Sequence, residues 1–193
     1  MPVLRLFFAI ELSPEIRSGL QQVEKSLRAP LGALPVRWVP AHNIHLTLVF
    51  LGDVVTTQVD GLKDMLRSQV ASQPVFELEV ASLGAFPSFR KPRVVWVGVS
   101  APPALPALQR RIAQGAARLG YPREDRPFSP HLTLGRVAKN ASPEDVRKIG
   151  EMLAAEKVET LGRMTVTSLN LYSSDLQPSG AVYKCEYSIA LSA

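Results

Sequence analysis

With 193 residues, 46% apolar and 20% charged, the chain is long enough to bury one sizeable core and has the balance of an ordinary globular protein. A single cysteine excludes an intramolecular disulfide and a thiolate metal cluster. The first apolar run is broken by Arg5 and ended by Glu11, too short for a signal-peptide core or a membrane span, so a cytoplasmic protein with no membrane partner is expected. The formal charge of +5 is uneven: nine basic residues against Glu124 and Asp125 lie between Arg90 and Arg136, leaving the rest of the chain slightly acidic. Such a concentrated positive field suits a polyanion, although alone it reads equally well as a solvated surface.

In chain order, Val3 to Leu12 reads as a buried strand. Ser13-Pro14-Glu15 opens a helix, with serine as N-cap, proline at the first turn and an acid near the positive helix end. Its stripe is Ile16, Leu20, Val23 and Leu27, and Pro30 and Gly32 are expected just past its end. A short strand at 36–39 and a loop at 40–43 lead into a strand that ends near Gly52, followed by a helix at 57–70 and a strand at 76–86. After a loop at 87–92 come a strand at 93–99 and a helix at 102–119 with Leu105, Leu108, Ile112 and Leu119 inward. A loop at 121–130 precedes another strand, and Ser142-Pro143-Glu144 repeats the earlier helix signature. Two last strands are expected at 161–172 and 181–191, joined through Asp175, Pro178 and Gly180. Cys185 alternates with Ala181, Tyr183, Tyr187 and Ile189, which suggests a buried, inert thiol.

The tetrapeptide His-Leu-Thr-Leu occurs twice, at His45–Leu48 and His131–Leu134, and takes two of the three histidines. At ordinary frequencies a histidine is followed by Leu-Thr-Leu on the order of once in a thousand times or less. Side chains alternate along a strand, so each copy presents an imidazole and a hydroxyl on one face and sends two leucines into a core. The copies lie 86 positions apart, and the same offset carries Phe8 to Val94, Val59 to Asp145 and Val80 to Val166. This reads as an internal duplication within one domain, repeat halves at about 1–88 and 89–175 and a final strand at 181–191, with a pseudo-two-fold axis that brings the two motifs face to face around one cleft.

Two imidazoles without a nearby Cys, Asp or Glu suit an acid–base pair better than a metal, because a zinc site wants three or four ligands and only His42 is spare. Displacement at phosphorus needs one group for the entering oxygen and one for the leaving oxygen. Thr47 and Thr133 can donate to the non-bridging oxygens, and Arg136 can add a bidentate contact. Phe50 and Phe128 flank the motifs and can stack a base, core packing being the expected role of at least one. The near-equivalence of the halves leaves acid and base unassigned.

Arg37-Trp38-Val39, the run Asn43 to Gly52, the run Pro92 to Gly98 and the run Arg126 to Arg136 together resemble the bacterial and archaeal RNA 2′,3′-cyclic phosphodiesterases, also called 2′-5′ RNA ligases, of the two-histidine (2H, HxTx) phosphoesterase superfamily. The resemblance covers nearly the whole chain. It implies a bilobal α+β fold, with pseudo-symmetric antiparallel-sheet lobes, helices outside and a basic central cleft, no cofactor and no metal, acting on RNA ends that carry a 2′,3′-cyclic phosphate, tRNA halves among them; a monomer is expected. It also implies His45 as the acid on the departing O3′, His131 as the base that activates water, and Thr47, Thr133 and Arg136 around the phosphate. Reversibility adds a 2′-5′ ligation, with an RNA 5′-hydroxyl attacking in place of water. A non-catalytic RNA-end-binding module and a metal-dependent hydrolase remain the rival classes.

Overall fold

The computed structural model describes residues 2–122, 124, 126–178 and 180–192, so Arg123 and Asp125 of the basic segment lie outside the described residues. Strand β1 (Val3–Ile10) is followed by helix α1 (Pro14–Leu31), whose Ser13 hydroxyl accepts the Ile16 amide at 3.4 Å. The same signature at Ser142 opens α4 (Pro143–Ala155), where the hydroxyl accepts the Asp145 amide at 3.0 Å. Between them lie β2 (Val36–Trp38), a 3-10 turn (Ala41–Asn43), β3 (Leu46–Val55), α2 (Val59–Val70), β4 (Phe76–Phe86), β5 (Val94–Ser100), α3 (Ala104–Arg118) and β6 (His131–Val137). The helix expected at 57–70 forms as α2 and buries Val59, Leu62, Leu66 and Val70.

The chain closes with β7 (Gly162–Val166), β8 (Ser168–Gln177) and β9 (Gly180–Ala190). The strand expected at 161–172 is therefore two strands. It breaks at Thr167 because β7 pairs with β4 in one sheet and β8 with β1 in the other. Helix α1 runs past its expected end to Leu31 and contains Pro30, since Leu31 is buried four residues after Leu27 and extends the apolar stripe. Gly32 then caps it at φ 49°, its amide donating to the Arg28 carbonyl. Leu119 is not inward: α3 ends at Arg118, Leu119 is 40% exposed, and Tyr121 is buried in its place.

Two antiparallel sheets hold the molecule, ordered β3-β1-β8-β9 and β2-β6-β5-β4-β7. Each motif strand pairs with its half's first strand, β3 with β1 and β6 with β5. The third strands are exchanged: β4 joins β5, and β8 joins β1. Helices follow the same rule, α1 packing on α4 and α2 on α3. One apolar cluster runs through both sheets and all four helices.

Cys185 corrects the sequence expectation. It is exposed, because β9 is an edge strand and carries a bulge at Glu186: Tyr187 stands opposite Leu171, but Cys185 stands opposite Tyr172. The extra residue turns Cys185 and Tyr183 to the face opposite Tyr187 and Ile189, which pack on the core. Partial burial still pushes its thiol above the ordinary range, so it stays protonated.

Candidate active site

Both motif histidines are held alike. The His45 Nδ1 lies 2.9 Å from the Asn43 carbonyl, and the His131 Nδ1 lies 2.7 Å from the Ser129 carbonyl, each partner two residues upstream. A carbonyl only accepts, so the proton belongs on Nδ1 and each ring presents Nε2 as its reactive nitrogen. Leu46, Leu48, Leu132 and Leu134 are buried, and Thr47 and Thr133 are half-buried on the opposite face, as the alternation requires.

Strict alternation would turn Arg136 away from His131 and Phe50 away from Thr47, since each is an odd number of positions along. A bulge in each strand corrects this. In β6, Thr133 faces Trp96 but Gly135 faces Val95, leaving Leu134 as an extra residue. In β3, Thr47 faces Ala9 but Val49 faces Phe8, leaving Leu48 extra at the equivalent place. The shifted register returns Arg136 to the face of His131 and Thr133, and Phe50 to the face of Thr47. Phe50 and Arg136 are 86 positions apart, so corresponding places carry an exposed ring in one sheet and a guanidinium in the other.

The rings around the two histidines differ. His45 stacks on Phe7 at 4.7 Å and 24° and meets the edge of Tyr183 at 5.0 Å. His131 meets Phe86 edge-on at 4.9 Å, with Trp96 at 6.3 Å. Burial among rings pushes His45 down to about 4, against the upward pull of the Asn43 carbonyl, so in the unliganded protein it is neutral at neutral pH.

A cleft of about 600 Å³ adjoins His45 through Phe7, Asn43 and Tyr183 and takes in both Phe50 and Arg136. Strands β3 and β6 touch. His42, on the 3-10 turn, lines the cleft, as do Arg5, Arg37 and Trp38. Most of the basic segment points elsewhere. Arg111 donates to the Gln73 side chain at 2.7 Å, while Arg110, Arg126 and Phe128 line a separate cavity of about 430 Å³. Phe128 is packed against the core, whereas Phe50 is 51% exposed. The cations that join Arg136 come from outside that segment. Arg5 and Phe7 were hidden in a strand read as uniformly buried, and their odd positions, alternating with Leu4, Leu6 and Phe8, are the signal that marks them. Among the described residues no three His, Cys, Asp or Glu side chains converge as a metal site would require.

Residues 12–178 match the family model described as the 2′-5′ RNA ligase superfamily. The chain belongs to that superfamily. Among its relatives in the superfamily, the RNA 2′,3′-cyclic phosphodiesterase of Archaeoglobus fulgidus is 35% identical over 181 residues, covering 94% of this chain and 97% of the relative. The protein of the same name from Methanothermobacter thermautotrophicus is 31% identical, covering 93% and 95%. Escherichia coli LigT, solved with 3′-AMP, shares the fold at a TM-score of 0.79 and 30% identity, with all of both chains covered. These superfamily relatives bear out the α+β two-sheet fold and the family read from the motifs.

Proposed function

We propose that the protein hydrolyses RNA 2′,3′-cyclic phosphate ends to 2′-phosphates with His45 and His131 as its acid–base pair. The observation that supports this most is the matched setting of the two histidines, each with Nδ1 fixed on the carbonyl two residues upstream and Nε2 left for chemistry. In this reading His131 takes a proton from water as the water oxygen bonds to phosphorus. The bond from phosphorus to O3′ breaks, and His45 delivers a proton to that oxygen. Thr47, Thr133 and Arg136 hold the non-bridging oxygens, and Phe50 offers a face to the base. A neutral resting His45 fits this role once substrate arrives, because a phosphate anion against Nε2 favours the charged ring.

The same geometry permits an RNA 5′-hydroxyl to attack in place of water. Departure of O3′ then leaves a 2′-5′ linkage, for example between tRNA halves held together by base pairing. Water at about 55 M keeps hydrolysis ahead unless the second end is bound in place. The deciding assay is a short RNA ending in a 2′,3′-cyclic phosphate, incubated with pure protein with and without EDTA. Chelator-insensitive formation of the 2′-phosphate is expected. Loss in EDTA would point to a metal hydrolase, and binding without turnover to an end-binding module.

A further inference from the structure

Three arginines converge on the cleft from two sheets. Arg37 of β2 and Arg136 of β6 stand directly opposite each other in antiparallel register, and Arg5 lines the same cleft from β1. Like charges directly opposite destabilise a sheet pair, so this arrangement carries a cost in stability. Among the described residues no Asp or Glu lines the cleft. Among the described residues none of the three arginines forms an ion pair, although Asp53 stands opposite Arg5 in the register. All three are exposed and so able to meet a ligand. The Tyr183 hydroxyl sits in the field of Arg136 and Arg5, which oppose the upward push of its burial.

The face shared by Arg136, Thr133 and His131 accounts for one phosphate, the reacting one. It leaves Arg5 and Arg37 without a role. Arg37 reaches to the turn of the β8–β9 hairpin, its Nη2 3.7 Å from where a side chain on Gly180 would begin. The Asn43 side chain fastens that hairpin, its Nδ2 donating to the Ala181 carbonyl at 2.8 Å. The hairpin therefore forms a wall of the cleft beside Arg37, and Arg5 lines the same cleft. We propose that Arg5 and Arg37 form a second phosphate subsite, which takes the phosphate on the 5′ side of the terminal nucleotide while the 2′,3′-cyclic phosphate lies between the histidines. This rests on the function proposed above and narrows its substrate: an RNA end with an upstream phosphate is preferred to a bare nucleoside 2′,3′-cyclic phosphate.

Equilibrium binding of reaction products tests this without turnover. Adenosine 2′-monophosphate is compared with adenosine 2′,5′-bisphosphate and with the dinucleotide ApA carrying a terminal 2′-phosphate, for wild type, Arg5→Gln, Arg37→Gln and the double variant. Charge-assisted hydrogen bonds to one more phosphate should make wild type bind the two larger ligands roughly ten- to a hundredfold tighter than the monophosphate. The ratio should fall in each single variant and approach one in the double variant. Retained thermal unfolding midpoints verify that these exposed substitutions leave the fold intact. A ratio near one in wild type, or one unchanged in the double variant, overturns the subsite. Preference for the bisphosphate but not the dinucleotide restricts it to a terminal 5′-phosphate and overturns the proposal for internal RNA phosphates. Hydrolysis of the cyclic substrate is measured separately, so failure of the function and failure of the subsite are told apart.

Discussion

At the scale of single residues, the two histidines share a hydrogen bond and differ in their surroundings. Each of His45→Ala and His131→Ala should slow hydrolysis of the all-oxygen cyclic substrate by roughly two to four orders of magnitude, the range for one acid–base group. Replacing the bridging 3′-oxygen by sulfur separates them, because a thiolate leaves without a proton. His45→Ala should then recover most of its rate and His131→Ala should not; the opposite pattern would reverse the roles. The aromatic seat of His45 supplies an independent check. Its ring titrates at about 4 in the unliganded protein, below the ordinary 6.5. Between those values the unfolded chain holds a proton that the folded protein does not, so stability should rise with pH across that window and the rise should vanish in His45→Gln. Followed by NMR, the ring's midpoint should move upward when a nucleoside 2′-phosphate is added, as an acid awaiting its substrate requires. A midpoint that stays at about 4 would assign His45 the part of base.

At the scale of elements, the bulges and the glycines beneath them decide what reaches the cleft. Gly84 of β4 is where the Trp96 ring rests: a Cβ there would lie 2.1 Å from the indole. Trp96 in turn sits beside Phe86 and His131. Gly84→Ala must therefore displace the indole, with an overpacking cost of about 1–3 kcal/mol. In a chain of this size that lowers the melting temperature by roughly 2–4 °C per kcal/mol. A calorimetric scan checks the first effect, and a fall in kcat on the cyclic substrate checks that the disturbance reaches His131. An unchanged melting temperature would mean that the ring has free space to move. The elements themselves were legible because helix stripes and the two Ser-Pro-Glu starts are local signals. The bulges at Leu48, Leu134 and Glu186 were not, because an extra residue in a strand shows only against its partner strand. Strict alternation would put Arg136 and Phe50 on the faces away from the cleft, and it placed Cys185 in the core. The cross-strand pair of Arg37 and Arg136 was hidden for the same reason, since 99 positions separate its members.

At the scale of the molecule, the exchange of third strands ties the sheets together. The sheet that carries His45 is completed by β8 and β9 from the C-terminal end, and the sheet that carries His131 is completed by β4 from the N-terminal half. With the helix pairs crossed in the same sense, neither 1–88 nor 89–193 holds a finished sheet. We infer that duplication produced this pattern: each copy contributes a strand, a helix, a motif strand and a second helix, then passes its last strand to its twin. The consequence is cooperative unfolding. Both tryptophans, Trp38 and Trp96, lie in the five-stranded sheet, whereas the single cysteine, exposed Cys185, lies in the four-stranded one. Tryptophan fluorescence and a dye on Cys185 therefore report separately on the two sheets of one chain. If β4 and β8 hold the sheets as one unit, both probes should give the same urea midpoint and the same slope, as in a two-state transition. Separated midpoints would mean that each sheet survives loss of its neighbour and that the exchanged strands are ornaments on two independent lobes. The functional reading makes the same demand, because a cleft built from β3 and β6 keeps its geometry only while both sheets are folded.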